Sequence, residues 1–240
     1  INNILVEYLH SVTTSRNTIN NMINVMSNQD RTLRTIVNYT INSSGTNSPN
    51  TITSEPTNLQ NRRHRNNRHN VGFLVIDAIN QKFKLSKQKP KFKGLLTTGK
   101  IEDKKVFAIK PLTFMNSSGV CIKELIDYFK INVKDVFVFH DDMDIDLGKV
   151  KAKFGGSSAG HHGIESIDKS IGKDYSRVRI GIGHPKNGKK VDTHVLEDFS
   201  DNEEDKIKDI TENIVKMIPT LIDKKMDTFS SKVNQNLNGI

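Results

Sequence analysis

The stretch from Val136 to Gly163, VFVFHDDMDIDLGKVKAKFGGSSAGHHG, restricts what this chain can fold into more than any other. Its first four residues, Val136-Phe137-Val138-Phe139, are β-branched or aromatic and carry no polar alternation, so they predict a short strand buried on both faces. Strands of that kind belong to parallel sheets covered by helices, and the ligands of open α/β sheets bind beyond the carboxyl ends of the strands. His140, Asp141 and Asp142 stand at that end. Lys151 and Lys153 follow as a basic hairpin, and then the loop Gly155-Gly156-Ser157-Ser158-Ala159-Gly160. That loop feeds a helix with Ile164, Ile167 and Ile171 on one face, stopped by Gly172. Strand, acids, basic hairpin, glycine loop and helix start together predict a site for a polyanion.

Three readings compete for the acids. Asp142, Asp144 and Asp146 with Gly148 resemble a calcium loop, but the glycine falls one place late and Lys153 stands where a bidentate Glu is needed. A divalent metal held by His140, Asp141, Asp142 and either His161 or His162 is chemically possible, although no His-x-x-x-His or Cys-x-x-Cys spacing supports it. Solvated hairpin positions account for Asp144 and Asp146. They do not account for Asp141, because an acid directly after a buried strand is costly to desolvate without a partner.

The chain has 240 residues, 35% of them hydrophobic and 26% charged, which gives room for one sizeable domain and a tail. No apolar run approaches the roughly 20 residues of a membrane-spanning helix. A net charge of +9 favours an anionic partner, with nucleic acid the first choice. The single cysteine, Cys121, excludes an intrachain disulfide and suits a reducing compartment. Cys121 lies on the apolar side of a helix and is expected in the core.

Composition shifts along the sequence. Before Lys82 every basic residue is arginine, and afterwards only Arg177 and Arg179 interrupt the lysines. The early part is rich in Asn, Ser and Thr, and its Asn42 to Pro49 stretch offers nothing to pack. Residues 1–61 are therefore expected to be a disordered extension, either a targeting segment or one brought in by a misread boundary. Arginine and serine with few acids fit an organellar transit peptide, and Ile1 is not a natural start. A domain is expected over residues 62–228 and a tail over 229–240. The expected location is cytoplasmic or organellar (mitochondrion or plastid) and not secreted.

From Arg68 the periodicity sharpens. Val71, Leu74, Val75, Ile79 and Phe83 recur at helical spacing behind Asn70, which is available as a cap. The run Lys82 to Lys93 predicts a loop or a solvated strand edge, and Val106 to Ile109 a buried strand. The turn Thr113 to Gly119 opens a helix carrying Ile122, Leu125, Ile126 and Phe129. Strand, helix and the strand at Val136 make a right-handed parallel unit. Val178 to Gly183 reads as a further strand. Ser200 with Glu203 forms a capping box ahead of a long helix that Pro219 should kink or divide. The expected fold class is α/β, a mixed sheet with helices on both faces.

These residues carry a family resemblance. Arg68-His69-Asn70-Val71-Gly72-Phe73, Pro111 to Gly119 (PLTFMNSSG), His140-Asp141-Asp142-Met143-Asp144-Ile145, Gly155-Gly156 through Gly163, and Arg177 to Pro185 (RVRIGIGHP) together resemble bacterial-type peptidyl-tRNA hydrolase, in order from about Arg68 to Ser200. The resemblance implies a three-layer α/β/α domain with a largely parallel sheet, and hydrolysis of the ester that joins a peptide to the ribose of tRNA. It also implies no metal, with peptidyl-tRNA as the partner; no other cofactor and no membrane are expected, and the chain is expected to be a monomer. The alternative from another class is an RNA-binding protein on the same scaffold that has lost catalysis.

By this resemblance His69 is the catalytic base, and its ordinary imidazole pKa suits the task. Asp141 would fix its tautomer by accepting from the second ring nitrogen. Asn116 would position substrate and water, with Phe114, Met115 and His162 also meeting the substrate. Lys153 and Arg179 match positions that meet tRNA phosphate. Helix capping for His69, a paired core acid for Asp141, a turn for Asn116 and plain solvation for the two bases are the structural alternatives.

Two departures stand out. The family has an asparagine where this sequence has His162. Its first strand and Gly-x-Gly-Asn-Pro-Gly loop should precede Arg68, but Asn58 to Asn67 has no glycine, proline or apolar run, and the loop asparagine and a tyrosine fall at Leu59 and His64. Either Thr35 to Ile41 supplies the strand from further back, or the first part is not the natural partner of the rest. On the second reading, removing Ile1 to about Ser54 changes the melting temperature little.

Overall fold

The computed structural model describes residues 67–185 and 190–235, apart from the side chain of Asp192, and of the preceding chain only the backbone of residues 33–38. The Asn42 to Pro49 stretch, the positions Leu59 and His64 and most of the 186–190 lysine loop lie outside the described residues. Along the chain come β1 (Leu33–Asn38), α1 (Val71–Lys82), β2 (Lys89–Lys91), β3 (Gly94–Ile101) and β4 (Lys104–Pro111). Then follow α2 (Ser118–Phe129), β5 (Val136–Asp142), β6 (Val150–Phe154), α3 (His162–Ile171) and β7 (Ser176–Gly181). The carboxyl-terminal part is helical: α4 (Val191–Leu196), α5 (Asp201–Lys216), α6 (Ile218–Ile222) and α7 (Met226–Gln235).

The strands form one sheet in the order β2-β3-β4-β1-β5-β7-β6. Its centre, β4-β1-β5-β7, is parallel, and its edges turn antiparallel at β2-β3-β4 and β7-β6. Burial follows the two-residue pleat. Phe137, Phe139, Val106, Ala108, Val178 and Ile180 face a core shared with α1, α5, α6 and α7. Phe107, Ile109, Val136 and Val138 face a second core under α2 and α3. The result is the expected three-layer α/β/α arrangement with a mixed, largely parallel sheet.

Several local expectations hold, each for its own reason. The capping box at Ser200 and Glu203 is formed at the head of α5. Pro219 sits in the first turn of α6, where its missing N–H costs nothing, and so separates α5 from α6. Gly172 ends α3 with φ +79°, and Cys121 is wholly buried in α2, where burial and the nearby Glu124 push its thiol up to about 12. Asn70 occupies the cap position of α1 without a side-chain cap bond, because the 3-10 turn Arg68–Asn70 runs directly into the helix. Lys151 and Lys153 lie on β6, which pairs with β7 and not with β5, so the basic segment is an edge strand instead of a hairpin.

Two segments change the expected boundaries. Residues 33–38, inside the stretch read as an extension, form β1 in the middle of the sheet: Arg34 lies opposite Val106 on one side, and Ile36 opposite Phe137 on the other. At the other end, α7 continues through the expected tail. Phe229 and Val233 are fully buried, and the Asn234 amide and the Ser230 hydroxyl bond the backbone of β6 at Val150 and Ala152. Packing therefore extends to Gln235, beyond the 228 boundary.

Candidate active site

Asp141 is the last fully buried residue of β5 and shares its pleat face with Phe137 and Phe139. The 3-10 turn that carries His69 packs against this strand end and is fastened from behind. Arg68 donates to the carbonyls of Glu197 (3.2 Å) and Asp198 (2.7 Å) and to Glu203 Oε2 (2.7 Å), the same carboxylate that closes the capping box of α5. His69 is thereby held so that its Nδ1 lies 2.6 Å from Asp141 Oδ1. Burial pulls the His69 pKa down, but the charge and hydrogen bond of Asp141 outweigh it, and the net shift is upward. Burial would raise Asp141, yet His69 and His161 hold its carboxyl well below the usual range. An ionised Asp141 accepts from Nδ1–H and leaves His69 Nε2 with a lone pair for a proton.

A second imidazole reaches the same oxygen. His161 Nε2 lies 3.2 Å from Asp141 Oδ1. Its Nδ1 accepts from the backbone N–H groups of Gly163 (3.1 Å) and Ile164 (3.4 Å), so His161 is also the cap of α3. Two amides on Nδ1 place the ring hydrogen on Nε2, where it is donated to Asp141.

His69, Asp141 and His161 form a metal-like group whose donor atoms lie within 4.8 Å of one another. This differs from the set expected from sequence. His140 turns its Nδ1 to the backbone oxygen of Asp141 (2.8 Å), Asp142 is taken by Arg179, and the His162 side chain is 76% exposed. Burial pushes His140 down to about 3. The donor chemistry fits a metal poorly, because His161 presents a proton and not a lone pair toward the group. The arrangement is a hydrogen-bonded trio.

The other expected substrate contacts lie on the turn between β4 and α2. Asn116 is exposed in the 3-10 turn Met115–Ser117, which packs against α3, the helix His161 caps. Phe114 beside it is 58% exposed, an apolar ring presented to solvent. Met115 is buried in the second core and supports the turn from below. His162, the first residue of α3, faces Glu165 at 3.6 Å.

The basic positions lie on the edge β7-β6, where Lys153 is registered opposite Arg177 and Lys151 opposite Arg179. Arg179 Nε donates to Asp142 Oδ2 at 2.5 Å. Lys153 folds over Gly156, which has φ +108° and whose absent Cβ would come within 2.7 Å of Nζ. Burial and the charges of Arg179 and Arg177 hold the Lys153 pKa below the ordinary lysine value. Arg177 is fully buried: it donates to Asp168 (2.7 Å) and to the carbonyl of Ser157 (2.8 Å) and stacks on Tyr175. It thus ties the glycine and serine loop to α3.

The family model for peptidyl-tRNA hydrolase matches residues 58–239. The chain belongs to the peptidyl-tRNA hydrolase family. A peptidyl-tRNA hydrolase of Pelagibacter ubique is 70% identical over 169 residues, covering 70% of this chain and 91% of that protein. One from Bartonella henselae is 41% identical over 173 residues, covering 72% and 90%. The crystal structure of peptidyl-tRNA hydrolase from Acinetobacter baumannii matches with a TM-score of 0.71 at 25% identity, over 85% of this chain and 95% of that one.

Of the site positions marked in the sequence, the fold of this family member brings His69 and Asp141 into direct contact and sets Lys153 and Arg179 together on one edge. Sequence reasoning passed over His161, Arg68 and Arg177 in these roles. A charged residue inside an apolar strand, as in Arg177-Val178-Arg179-Ile180, already signals a buried partner. His161 has a weaker signal, as a side-chain acceptor directly ahead of the first turn of a helix.

Proposed function

We propose that this chain hydrolyses the ester between peptide and tRNA in peptidyl-tRNA, through a water activated by His69, and so recycles tRNA from stalled or abandoned translation. The observation that carries the reading is the 2.6 Å contact of His69 Nδ1 with a buried, ionised Asp141 at the carboxyl end of β5. Asp141 holds the tautomer in which Nε2 is the acceptor. Nε2 takes a proton from water as the oxygen attacks the ester carbonyl, and the ribose oxygen leaves with a proton, giving free peptide and tRNA. Asn116 can donate its amide to the carbonyl and accept from the water. Phe114 offers a face for a ring or apolar side chain, His162 offers an exposed polar group to the substrate, and Met115 acts through the turn it supports. Lys153 and Arg179 meet tRNA phosphate at the β7-β6 edge.

The remaining features fit this role. The edge strand β2, Lys89-Pro90-Lys91, is exposed and blunted against strand addition, which suits a monomer. Among the described residues no helix is long and apolar enough to cross a membrane. A lone buried thiol suits a reducing compartment, cytoplasmic or organellar. Peptide release from peptidyl-tRNA, measured with and without chelator, tests the proposal. Wild-type protein should release peptide equally in both, and His69→Ala should lose roughly 10²- to 10⁴-fold in turnover while binding tRNA as before. Wild-type-like turnover in His69→Ala removes His69 from the mechanism, and an inactive wild type that binds tRNA favours the non-catalytic alternative.

A further inference from the structure

Asp141 Oδ1 is the acceptor for two imidazoles, and only one of them has a place in the proposed chemistry. His161 joins the trio by a hydrogen bond to the carboxylate (3.2 Å), by a tilted ring contact to His69 (centroids 5.2 Å apart) and by an edge contact to His140 (5.1 Å). A serine, aspartate or asparagine would cap α3 equally well. None of these carries a hydrogen on an atom as far out as Nε2, with its other end fixed by two amides.

We propose that His161 is a positioning residue that tunes the catalytic base: its Nε2–H shares the Asp141 carboxylate with His69 and keeps the basicity of His69 nearer neutrality than Asp141 alone would set it. This rests on the hydrolase reading of the site. A carboxylate that accepts one hydrogen bond is a stronger acceptor than one that accepts two, because each donor withdraws negative charge from the oxygen. Asp141 raises the proton affinity of His69. A base whose proton affinity is raised too far is already protonated at neutral pH and cannot take a proton from water. His161 limits that effect and also fixes the carboxylate in the plane that serves His69.

The other charged groups near the trio have partners of their own. The 3-10 turn contributes His69, while Arg68 is turned away to Glu203. β5 contributes His140, bonded to the Asp141 backbone, and Asp142, bonded to Arg179. β7 contributes Arg177, paired with Asp168, and α3 adds His162 and Glu165, which face each other in the solvent.

The test uses the full chain and two substitutions, His161→Asn and His161→Ala. Asparagine retains a cap for α3 and alanine does not, while neither can donate to Asp141 from the Nε2 position. In both variants the midpoint of the His69 imidazole titration, followed by nitrogen-detected NMR, should move upward by roughly half a pH unit or more. The acid limb of kcat/KM should move the same way, with a loss of about tenfold or less at pH 7. Only His161→Ala should melt at a clearly lower temperature. The NMR titration needs no turnover, so failure of the hydrolase reading would show as an inactive wild type, separately from failure of this proposal. An unmoved His69 titration in His161→Asn, or a shift that appears only in the destabilised His161→Ala, overturns the tuning role and leaves His161 as a helix cap.

Discussion

β1 and β5 lie side by side at the centre of the sheet, with Thr35 opposite Val136 and Asn38 opposite Phe139, yet their sequences announce them very differently. β5 places large apolar side chains in both cores and ends in the acids of the site. β1 joins ladders to β4 on one side and β5 on the other, five registered pairs and four, from a run with only Ile36 and Val37 together between polar residues. A strand written in side-chain burial announces itself locally. A short run with little apolar pattern does not, because the place it takes depends also on which neighbours have a free edge, a property of the assembled sheet.

The largest effect that separates the two strands is removal of residues 1–54. Without β1, the facing edges of β4 and β5 are left with unpaired backbone groups in the middle of a covered sheet. Cooperative unfolding should be lost, or the melting temperature should fall by more than about 10 °C. The substitution Ile36→Pro tests the same point through the backbone alone, because a central strand cannot spare its N–H, and should cost about 3 kcal/mol or more. Melting curves unchanged by either modification would mean that β1 adds nothing to the sheet and would return residues 33–38 to the extension.

The difference also explains what could be read in advance. β5, α2, α3, β7 and α5 carry uninterrupted periodicity, a cap or a stop signal, and lie close to their expected spans, although β5 runs three residues beyond Phe139 and takes His140, Asp141 and Asp142 into the strand. The contact of His69 with Asp141 was legible through the family resemblance, which gave the two residues as base and orienter. β1 was one of two open alternatives, since the run beginning at Thr35 contains only Ile36 and Val37 between polar residues before Tyr39. The α7 helix was read as a tail because Phe229 and Val233 are isolated in a polar segment, and their burial depends on the surface β6 and α5 present to them. The pairing of Arg179 with Asp142 was hidden for a similar reason: β5 and β7 are neighbours only once the sheet is assembled.

At the functional end of β5 the next largest effect is expected from Asp141→Asn. The amide preserves shape but can donate to His69 Nδ1, which stabilises the wrong tautomer and places the hydrogen on Nε2. Turnover should fall by roughly 10²- to 10⁴-fold with little change in tRNA affinity. Any residual activity should show its acid limb displaced downward, because the negative charge that raises His69 is gone. That direction is opposite to the one expected for His161→Asn, so the two substitutions bracket the role of the carboxylate. An unchanged rate in Asp141→Asn would mean that the His69 contact is structural only. In stability the sign is equally defined: the Asp141 pKa is depressed in the fold, so its contribution is present above the ordinary aspartate pKa and is lost as pH falls.

The smallest effect concerns the edge beyond β5, where the two basic positions should differ from each other. A side chain that neutralises one phosphate contributes about 0.7 to 0.9 to the slope of log affinity against log salt. Lys153 has no carboxylate within ion-pair distance among the described residues, and burial, with the neighbouring Arg179 and Arg177, lowers its proton affinity against the opposing charge of Asp142. Arg179 spends its Nε on Asp142, so part of its charge is offset before any phosphate arrives. Lys153→Ala should therefore lower the slope by close to the full value for one phosphate, measured by tRNA binding between about 50 and 200 mM salt. Arg179→Ala should lower it by less, yet weaken binding at every salt concentration, because Asp142 is left facing the phosphate uncompensated. Slopes equal to wild type in both variants would make the two residues solvated bases. A larger slope change for Arg179→Ala than for Lys153→Ala would show that Asp142 releases Arg179 when tRNA binds, and that the end of β5 takes part in holding the nucleic acid as well as in orienting the base.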